Sequence, residues 1–406
     1  MKNRLDQRGQ EAFYLLEYEK KRMEDCALSL NSLASAFMIH GEKEESREDR
    51  QTLLWEKRME ENRQLFSGHL QEMAEEIKKT SRESVRIIRL GRRKEKQIAR
   101  MLCLEGLVLD DFYLLEKGNG KREAVASLHL AHRIKRNQVC SAEEVAGFLS
   151  VLLETKLVST GRPPFFVTKD TQTMYFQEES RFTVLTGFAR AVKEKEKISG
   201  DNHSFFETAE GEFYALLSDG MGSGSKACAD SELVLNMAEK FLSSGFSEKR
   251  AMQFINDALI VGGENQNMST MDLCRINLYT GEADFLKIGA TSSLIKRDGD
   301  VEELPANSLP LGVFSHLEPC RKRRRLMDGD YVFLFSDGVT DSFHTEEGKE
   351  FLKQLVAEIP YRHPGEMAGY LMKYVIQAAQ GRIRDDMTVL VIGVWDNQNE
   401  EILTDN

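Results

Sequence analysis

The sequence is short of proline, tryptophan and histidine: its 406 residues hold seven Pro, two Trp and eight His. With so little proline, and 29 Gly scattered without a period, a collagen-like or low-complexity chain is excluded. The six cysteines (Cys26, Cys103, Cys140, Cys228, Cys274 and Cys320) stand far apart and include no CxxC pair. They make no zinc pattern and read as reduced, buried small residues. No apolar run reaches the roughly 18 residues that a membrane span needs. The longest, Met387 to Trp395, contains one Thr and one Gly and reads as a buried strand. The opening MKNRLDQRGQ has no apolar signal-peptide core, so the expected location is cytoplasmic. A basic excess is missing as well. Against 55 Lys and Arg stand 66 Asp and Glu, a net charge of −11, whereas nucleic-acid affinity rests on a basic face.

What is present suffices for a folded chain. Hydrophobic residues make up 41% and charged residues 30%, enough to bury a core, and the length suits two or three domains. Residues 1–80 read as a helical regulatory segment. Met23, Cys26, Leu30, Leu33 and Phe37 form one apolar stripe, and Trp55, Met59, Phe66, Leu70, Met73 and Ile77 form another. The polar GEKEESRED separates them. Two readings stay open: a helical hairpin with a self-packed seam, or a surface for a partner or a second copy. Residues 81–178 read as a small α+β domain. A strand is expected over 107–115 and another over 123–131, joined at Gly118-Asn119-Gly120, a hairpin signal. Ser141 with Glu144 is a capping box opening a helix over 145–157. Arg92, Arg93 and Lys94 read as a solvated turn. Residues 179–396 alternate short strands with Gly-Asp turns, and helices are expected over 225–243, 247–259 and 365–379. That pattern describes an α+β layered domain. Residues 397–406 are a polar tail.

Within that last domain, strand-like runs repeatedly end in Asp beside Gly or a second Asp: Asp201 in SGDN, Asp219 in LSDGMG, Asp337 in FSDGV, and Asp385-Asp386 in RDDMT. Asp-Gly is a common turn signal, and Asp298-Gly299 and Asp328-Gly329 read as turns only. The other acids differ in that they flank apolar runs: Phe213–Leu217, Tyr331–Phe335 and Met387–Trp395. Strand ends hold side chains rigidly, and several carboxylates sharing one cleft repel unless cations neutralise them. Oxygen ligands without His or Cys select Mg2+ or Mn2+.

The stretches SGDN, LLSDGMGSG, STMDLCRINLYTGEADFLKIGA, LPLGV, DGDYVFLFSDGVTDS and RDDMTVLVI resemble, in this order, the phosphatase domain of the stage II sporulation protein E family. That family lies within the metal-dependent, PPM-type protein serine/threonine phosphatases. The resemblance spans about residues 181–395. It implies a β-sandwich flanked by helices, with two Mn2+ or Mg2+ ions at one end. By motif, Asp219 would bridge both ions, the Gly220 carbonyl would help bind one, and Asp337 with Asp385 would hold the second. Asp385 is favoured over Asp386, which remains a candidate, and Asp201 would act through water. Asp272 sits in a similar motif-like setting but reads first as a strand cap. The implied reaction is attack of a metal-bridging hydroxide on a phosphoserine, with no protein nucleophile. His203, beside Asp201, is a candidate substrate contact or proton carrier, and Arg190 and Arg384 are candidate phosphate contacts.

The implied substrate and partner is a phosphorylated anti-anti-sigma factor, whose dephosphorylation activates a sporulation sigma factor. The helices before the domain are implied to act as a switch completing the metal site. The family's membrane spans and interhelical cysteine cluster are absent from this sequence, which suggests a soluble form, a fragment or a shortened paralogue. Two alternatives remain at this stage: a catalytically weak scaffold of the same fold, and a phosphatase of a stress-response sigma pathway.

Overall fold

The computed structural model describes residues 86–116, 122–131, 140–161, 163–208, 210–222, 224–261, 268–314, 317–343, 346–360 and 362–397, with scattered helical residues between 23 and 79. Cys26, Leu33 and Phe37 of the first amino-terminal stripe, Trp55, Met59 and Phe66 of the second, the Gly118-Asn119-Gly120 turn and the tail beyond Asn397 lie outside the described residues. The chain divides into two compact units, Met1–Glu179 and Ser180–Asn406.

The first unit holds β1 (Arg86–Ile88), α1 (Arg92–Leu104), β2 (Leu107–Glu116), β3 (Arg122–Leu130), β4 (Cys140–Ser141), α2 (Ala142–Leu153), β5 (Leu157–Ser159), β6 (Phe166–Val167) and β7 (Gln172–Glu178). Its main sheet runs β1-β2-β3-β7-β5, all antiparallel. Ile98 and Leu102 of α1 and Val145 and Leu149 of α2 bury against Phe112, Ala126, Leu128 and Phe176. The capping box is formed: Glu144 N donates to Ser141 Oγ (3.2 Å) and Ser141 N to Glu144 Oε2 (2.7 Å). Such a cap stabilises a helix by about 1 kcal/mol. Two expectations are corrected. The basic stretch is the exposed first turn of α1, because Gly91 caps a helix that already starts at Arg92. The second helix stops at Leu153 because Glu154 turns left-handed (φ 57°), and Leu157 begins a strand instead.

The second unit holds β8 (Phe182–Ala191), β9 (Asp201–Glu207), β10 (Glu212–Asp219), α3 (Gly224–Ser243), α4 (Glu248–Val261), β11 (Met271–Asn277), β12 (Glu282–Ile288), β13 (Ser293–Arg297), β14 (Asp300–Leu304), β15 (Cys320–Arg325), β16 (Tyr331–Phe335), α5 (Asp337–Asp341), α6 (Glu346–Glu358), α7 (Pro364–Ala378) and β17 (Met387–Asp396). Two five-stranded antiparallel sheets, β15-β12-β11-β10-β9 and β14-β13-β16-β17-β8, make the α+β sandwich.

Alternation explains its layers. On β10, Phe213, Ala215 and Leu217 face the inter-sheet core, while Tyr214 and Leu216 pack under α3 and α4. On β16, Val332 and Leu334 point inward, and Tyr331, Phe333 and Phe335 pack under α5, α6 and α7. Both faces of these strands are covered, so YVFLF is apolar throughout rather than alternating. At roughly 25 cal/mol per Å2 of apolar area, each buried Phe on these strands contributes about 2–3 kcal/mol.

Candidate metal centre

The antiparallel register brings the acids to one end of the sandwich. Asp201 opens β9 and is paired directly with Asp219, which closes β10. On the other sheet, β16 ends just before Asp337 and β17 begins just after Asp385-Asp386, with Phe335 paired to Val389. Thr388 Oγ1 crosses between the sheets to donate to Asp201 Oδ2 (2.7 Å).

The backbone around Asp219 is fixed from both sides. Its N–H donates to Thr270 Oγ1 (2.9 Å), and its carbonyl accepts from Thr270 N (2.9 Å) and Ser269 Oγ (2.8 Å). Two glycines allow the close packing this needs. A Cβ on Gly220 would lie 1.9 Å from the Ala227 carbonyl oxygen, and one on Gly338 would lie 2.1 Å from that of Asp386.

The electrostatics record crowded negative charge. Burial first, then the charges of Asp201, Asp337 and Asp385, push the Asp219 carboxyl up to about 9. Burial raises Asp201 to about 6 against the hydrogen bonds of Thr388 and Ser336. Burial and Asp385 also raise Asp337. Asp201 is fully buried, and its Oδ1 has no hydrogen-bond partner. An orphaned carboxylate oxygen among carboxylates that resist ionisation is the donor set that a hard divalent cation satisfies. Among the described residues, no three His, Cys, Asp or Glu side chains are already closed into a cation cage. Lys193 supplies positive charge meanwhile, with its Nζ 3.2 Å from Asp385 Oδ1.

The two adjacent acids part company. Asp386 is buried and accepts two backbone N–H bonds, from Lys193 N at Oδ1 (2.9 Å) and Gly200 N at Oδ2 (2.7 Å). The Asp385 side chain is 48% exposed and faces Lys193.

The remaining candidates lie nearby in different roles. His203 packs against Phe188 with tilted rings (centroids 4.1 Å apart), and its Nδ1 is 3.3 Å from Arg190 Nη2. Burial and the Arg190 charge hold its pKa near 4, so it is neutral at pH 7 and unsuited to carrying protons there. Arg190 itself is engaged with His203, and Arg384 is exposed. Asp272 is no strand cap: it sits within β11 in a buried ion pair with Lys287 (2.6 Å). Sequence reasoning missed Lys287, Thr270 and Thr388. Their signal was weak, since a Lys or Thr within a strand ordinarily reads as its solvent face.

The family model of stage II sporulation protein E matches residues 209–395. Stage II sporulation protein E of Bacillus subtilis (strain 168) is 30% identical over 348 residues, 85% of this chain and 41% of that protein. The chain thus spans about two-fifths of that relative's length. The solved structure of the PP2C phosphatase domain with a fragment of the regulatory domain of the cell fate determinant SpoIIE from Bacillus subtilis is 26% identical. The match covers 86% of this chain and all of that one, with a TM-score of 0.59. The phosphoserine phosphatase RsbU of Bacillus subtilis (strain 168) is 22% identical over 201 residues, 48% of this chain and 59% of that protein. Ordered family motifs, paired sheets and acids gathered at one end agree: residues 209–395 form a domain of the stage II sporulation protein E family, with the fold of the PPM-type phosphatases.

Proposed function

We propose that the unit beginning at Ser180 hydrolyses phosphoserine on a protein with two Mn2+ or Mg2+ ions, and that its substrate is a phosphorylated anti-anti-sigma factor controlling a sporulation sigma factor. The observation that carries this reading is the gathering of Asp201, Asp219, Asp337 and Asp385 at one end of the sandwich, with the Asp201 Oδ1 orphaned. The name of the relative RsbU supports phosphoserine as the substrate class. Asp219, the Gly220 carbonyl, Asp337 and Asp385 would hold the ions, with Asp201 behind them. Asp386 is the anchor that ties the β17 entrance to Gly200 and Lys193 rather than a ligand. Bound ions supply charge for the phosphoryl oxygens and acidify water.

The chain's own residues supply rigidity. Thr270 and Ser269 fix Asp219, and Thr388 orients Asp201. Lys193 balances Asp385 before ions arrive. Residues 1–80 and 81–178 belong to this proposal as regulatory parts, the first offering a surface for a partner or a second copy. No described helix is long and apolar enough to cross a membrane. A cytoplasmic site of action is part of the same proposal.

The test is hydrolysis of p-nitrophenyl phosphate with and without Mn2+, comparing the natural chain with Asp337→Ala. Mn2+-dependent turnover is expected, falling roughly 1,000-fold or more in the variant, as when electrostatic stabilisation of a transition state is removed. Equal turnover in both proteins would sink the assignment of Asp337. A phosphoserine protein of the anti-anti-sigma class then replaces the small substrate.

A further inference from the structure

Beneath the carboxylates the β15-β12-β11-β10-β9 sheet carries a second charged layer. Asp272 of β11 lies opposite Leu217 of β10 on one side and Lys287 of β12 on the other. Asp272 and Lys287 are each 1% exposed. Lys287 Nζ donates to Asp272 Oδ2 (2.6 Å) and to Ser293 Oγ (2.6 Å), and Ser293 Oγ donates to the same Oδ2 (3.3 Å). One oxygen of Asp272 is therefore crowded with donors. The other, Oδ1, is buried without a partner. Burial pushes this carboxyl up while Lys287 and Ser293 pull it down.

A pair serving only to hold strands together has no reason to leave a carboxylate oxygen bare, since an unmade buried hydrogen bond costs about 1–3 kcal/mol. The surroundings offer an explanation. Asp272 lines a cavity of about 10 Å3 together with Asp219, Thr270, Ser336 and Asp337. That is room for about one water, and every one of these neighbours brings polar atoms.

We propose that Asp272 is a positioning residue for the phosphatase reaction: its Oδ1 accepts one hydrogen of a single buried water in this cavity, and that water donates its other hydrogen to the Asp219 carboxylate, two residues beyond Leu217 on the same strand. Lys287 and Ser293 fix the carboxylate so that the bridge has one orientation. The proposal rests on the phosphatase reading and deepens it, giving the acidic centre a rigid support inside the sandwich. Supporting groups of this kind typically change activity 10–100-fold when removed.

The test uses the full chain and three variants: Asp272→Asn, Lys287→Met, and the two combined. The readouts are kcat and KM on p-nitrophenyl phosphate, Mn2+ affinity by calorimetry, thermal midpoint, and a crystal structure of the natural chain. Asp272→Asn is expected to lower kcat about 10–100-fold, leaving KM and Mn2+ affinity within about threefold. Lys287→Met leaves a lone buried carboxylate and lowers the midpoint. The double variant regains most of that loss because neither charge remains unpaired, yet its kcat stays low. The crystal structure is expected to show a water within hydrogen-bond distance of Asp272 Oδ1. Recovery of kcat along with stability in the double variant overturns the proposal, as does a dry cavity. So does an Asp272→Asn protein that loses Mn2+ affinity but keeps its kcat at saturating metal, which would make Asp272 a ligand. If Lys287→Met does not fold, Asp272→Asn and the crystallographic water decide. Absence of Mn2+-dependent turnover in the natural chain sinks the phosphatase reading instead, and the water then judges the positioning role alone.

Discussion

Asp385 and Asp386 are neighbours with opposite burdens. Removing the Asp386 carboxylate strands two amides, the buried one of Gly200 and the half-buried one of Lys193. Asp386→Ala is therefore expected to lose about 2–4 kcal/mol in denaturant unfolding, at the scale of hydrogen bonds to a charged group. Asp385→Ala removes a half-exposed charge from a repulsive cluster and should unfold within about 0.5 kcal/mol of the natural protein while losing Mn2+-dependent turnover. Equal destabilisation by both variants would refute the division of labour. The sequence could name the pair but lean only weakly toward Asp385. The amides that occupy Asp386 come from residues about 190 positions away (|i−j| 193 and 186), and no local pattern reports them.

Asp219 has a consequence in pH. Its folded carboxyl titrates near 9, far above the ordinary carboxylate value of 3.8. A raised pKa means that the folded chain holds the proton more tightly than the unfolded one. The contribution is full below about pH 4 and is lost as pH rises towards 9. In EDTA, Asp219→Asn should thus melt above the natural chain, by a margin growing from pH 5 to pH 9. Excess Mn2+ should reverse the order at the higher pH, because cations and protons compete for the same oxygens. Margins that do not change with pH would rule out the crowded-carboxylate account.

At the scale of elements, the strands of the sandwich were legible where alternation and punctuation agreed. Expected runs such as 331–335 and 387–395 match strands to within a residue or two, because both of their faces are buried and turns bound them. Several elements escaped, β15 and α6 among them. β15 is CRKRRR, a run that reads as a charged loop, yet it pairs along β12 at a sheet edge where its side chains reach water and Asp284. Charged side chains are common on edge strands, which they protect from further pairing. The helix α6 escaped although its own sequence carries an apolar stripe: Leu352, Leu355 and Val356 bury in one cluster with Leu294 of β13 and Phe333 of β16. Its end is held by Lys296, a fully buried strand residue whose Nζ donates to the carbonyls of Val356, Ala357 and Ile359. Burial pushes this ammonium down from its usual range, and the three carbonyls at the negative end of the helix compensate. Lys296→Met should cost about 2–4 kcal/mol and expose the last turn of α6 to hydrogen exchange first. Unchanged protection of residues 355–359 would show that the helix needs no such cap.

The whole molecule poses the problem that local patterns cannot address, namely which strands meet. The second unit opens with β8 and closes with β17, and these pair over ten residues from Ala191↔Met387 to Phe182↔Asp396. Arg181 then clasps Asp396 (2.7 Å), and Asn397 N donates to the Arg181 carbonyl (2.8 Å). A closure spanning about 200 residues leaves no periodic trace, which is why the sandwich was reached by family resemblance rather than by spacing. It also has a physical corollary. The inter-sheet core and both outer helical layers draw every buried residue from between Phe182 and Val394. The unit from Ser180 onward therefore owns its complete core, and it should unfold in one cooperative transition when expressed alone. Its Mn2+-dependent turnover should survive excision, because every candidate ligand and every residue that fixes one lies inside it. If the preceding regions regulate, the full chain should differ from the excised unit by several-fold in kcat or Mn2+ affinity on the same small substrate. Identical constants for the two proteins would remove the switch. An excised unit that folds but is inert would place part of the catalytic apparatus before Ser180.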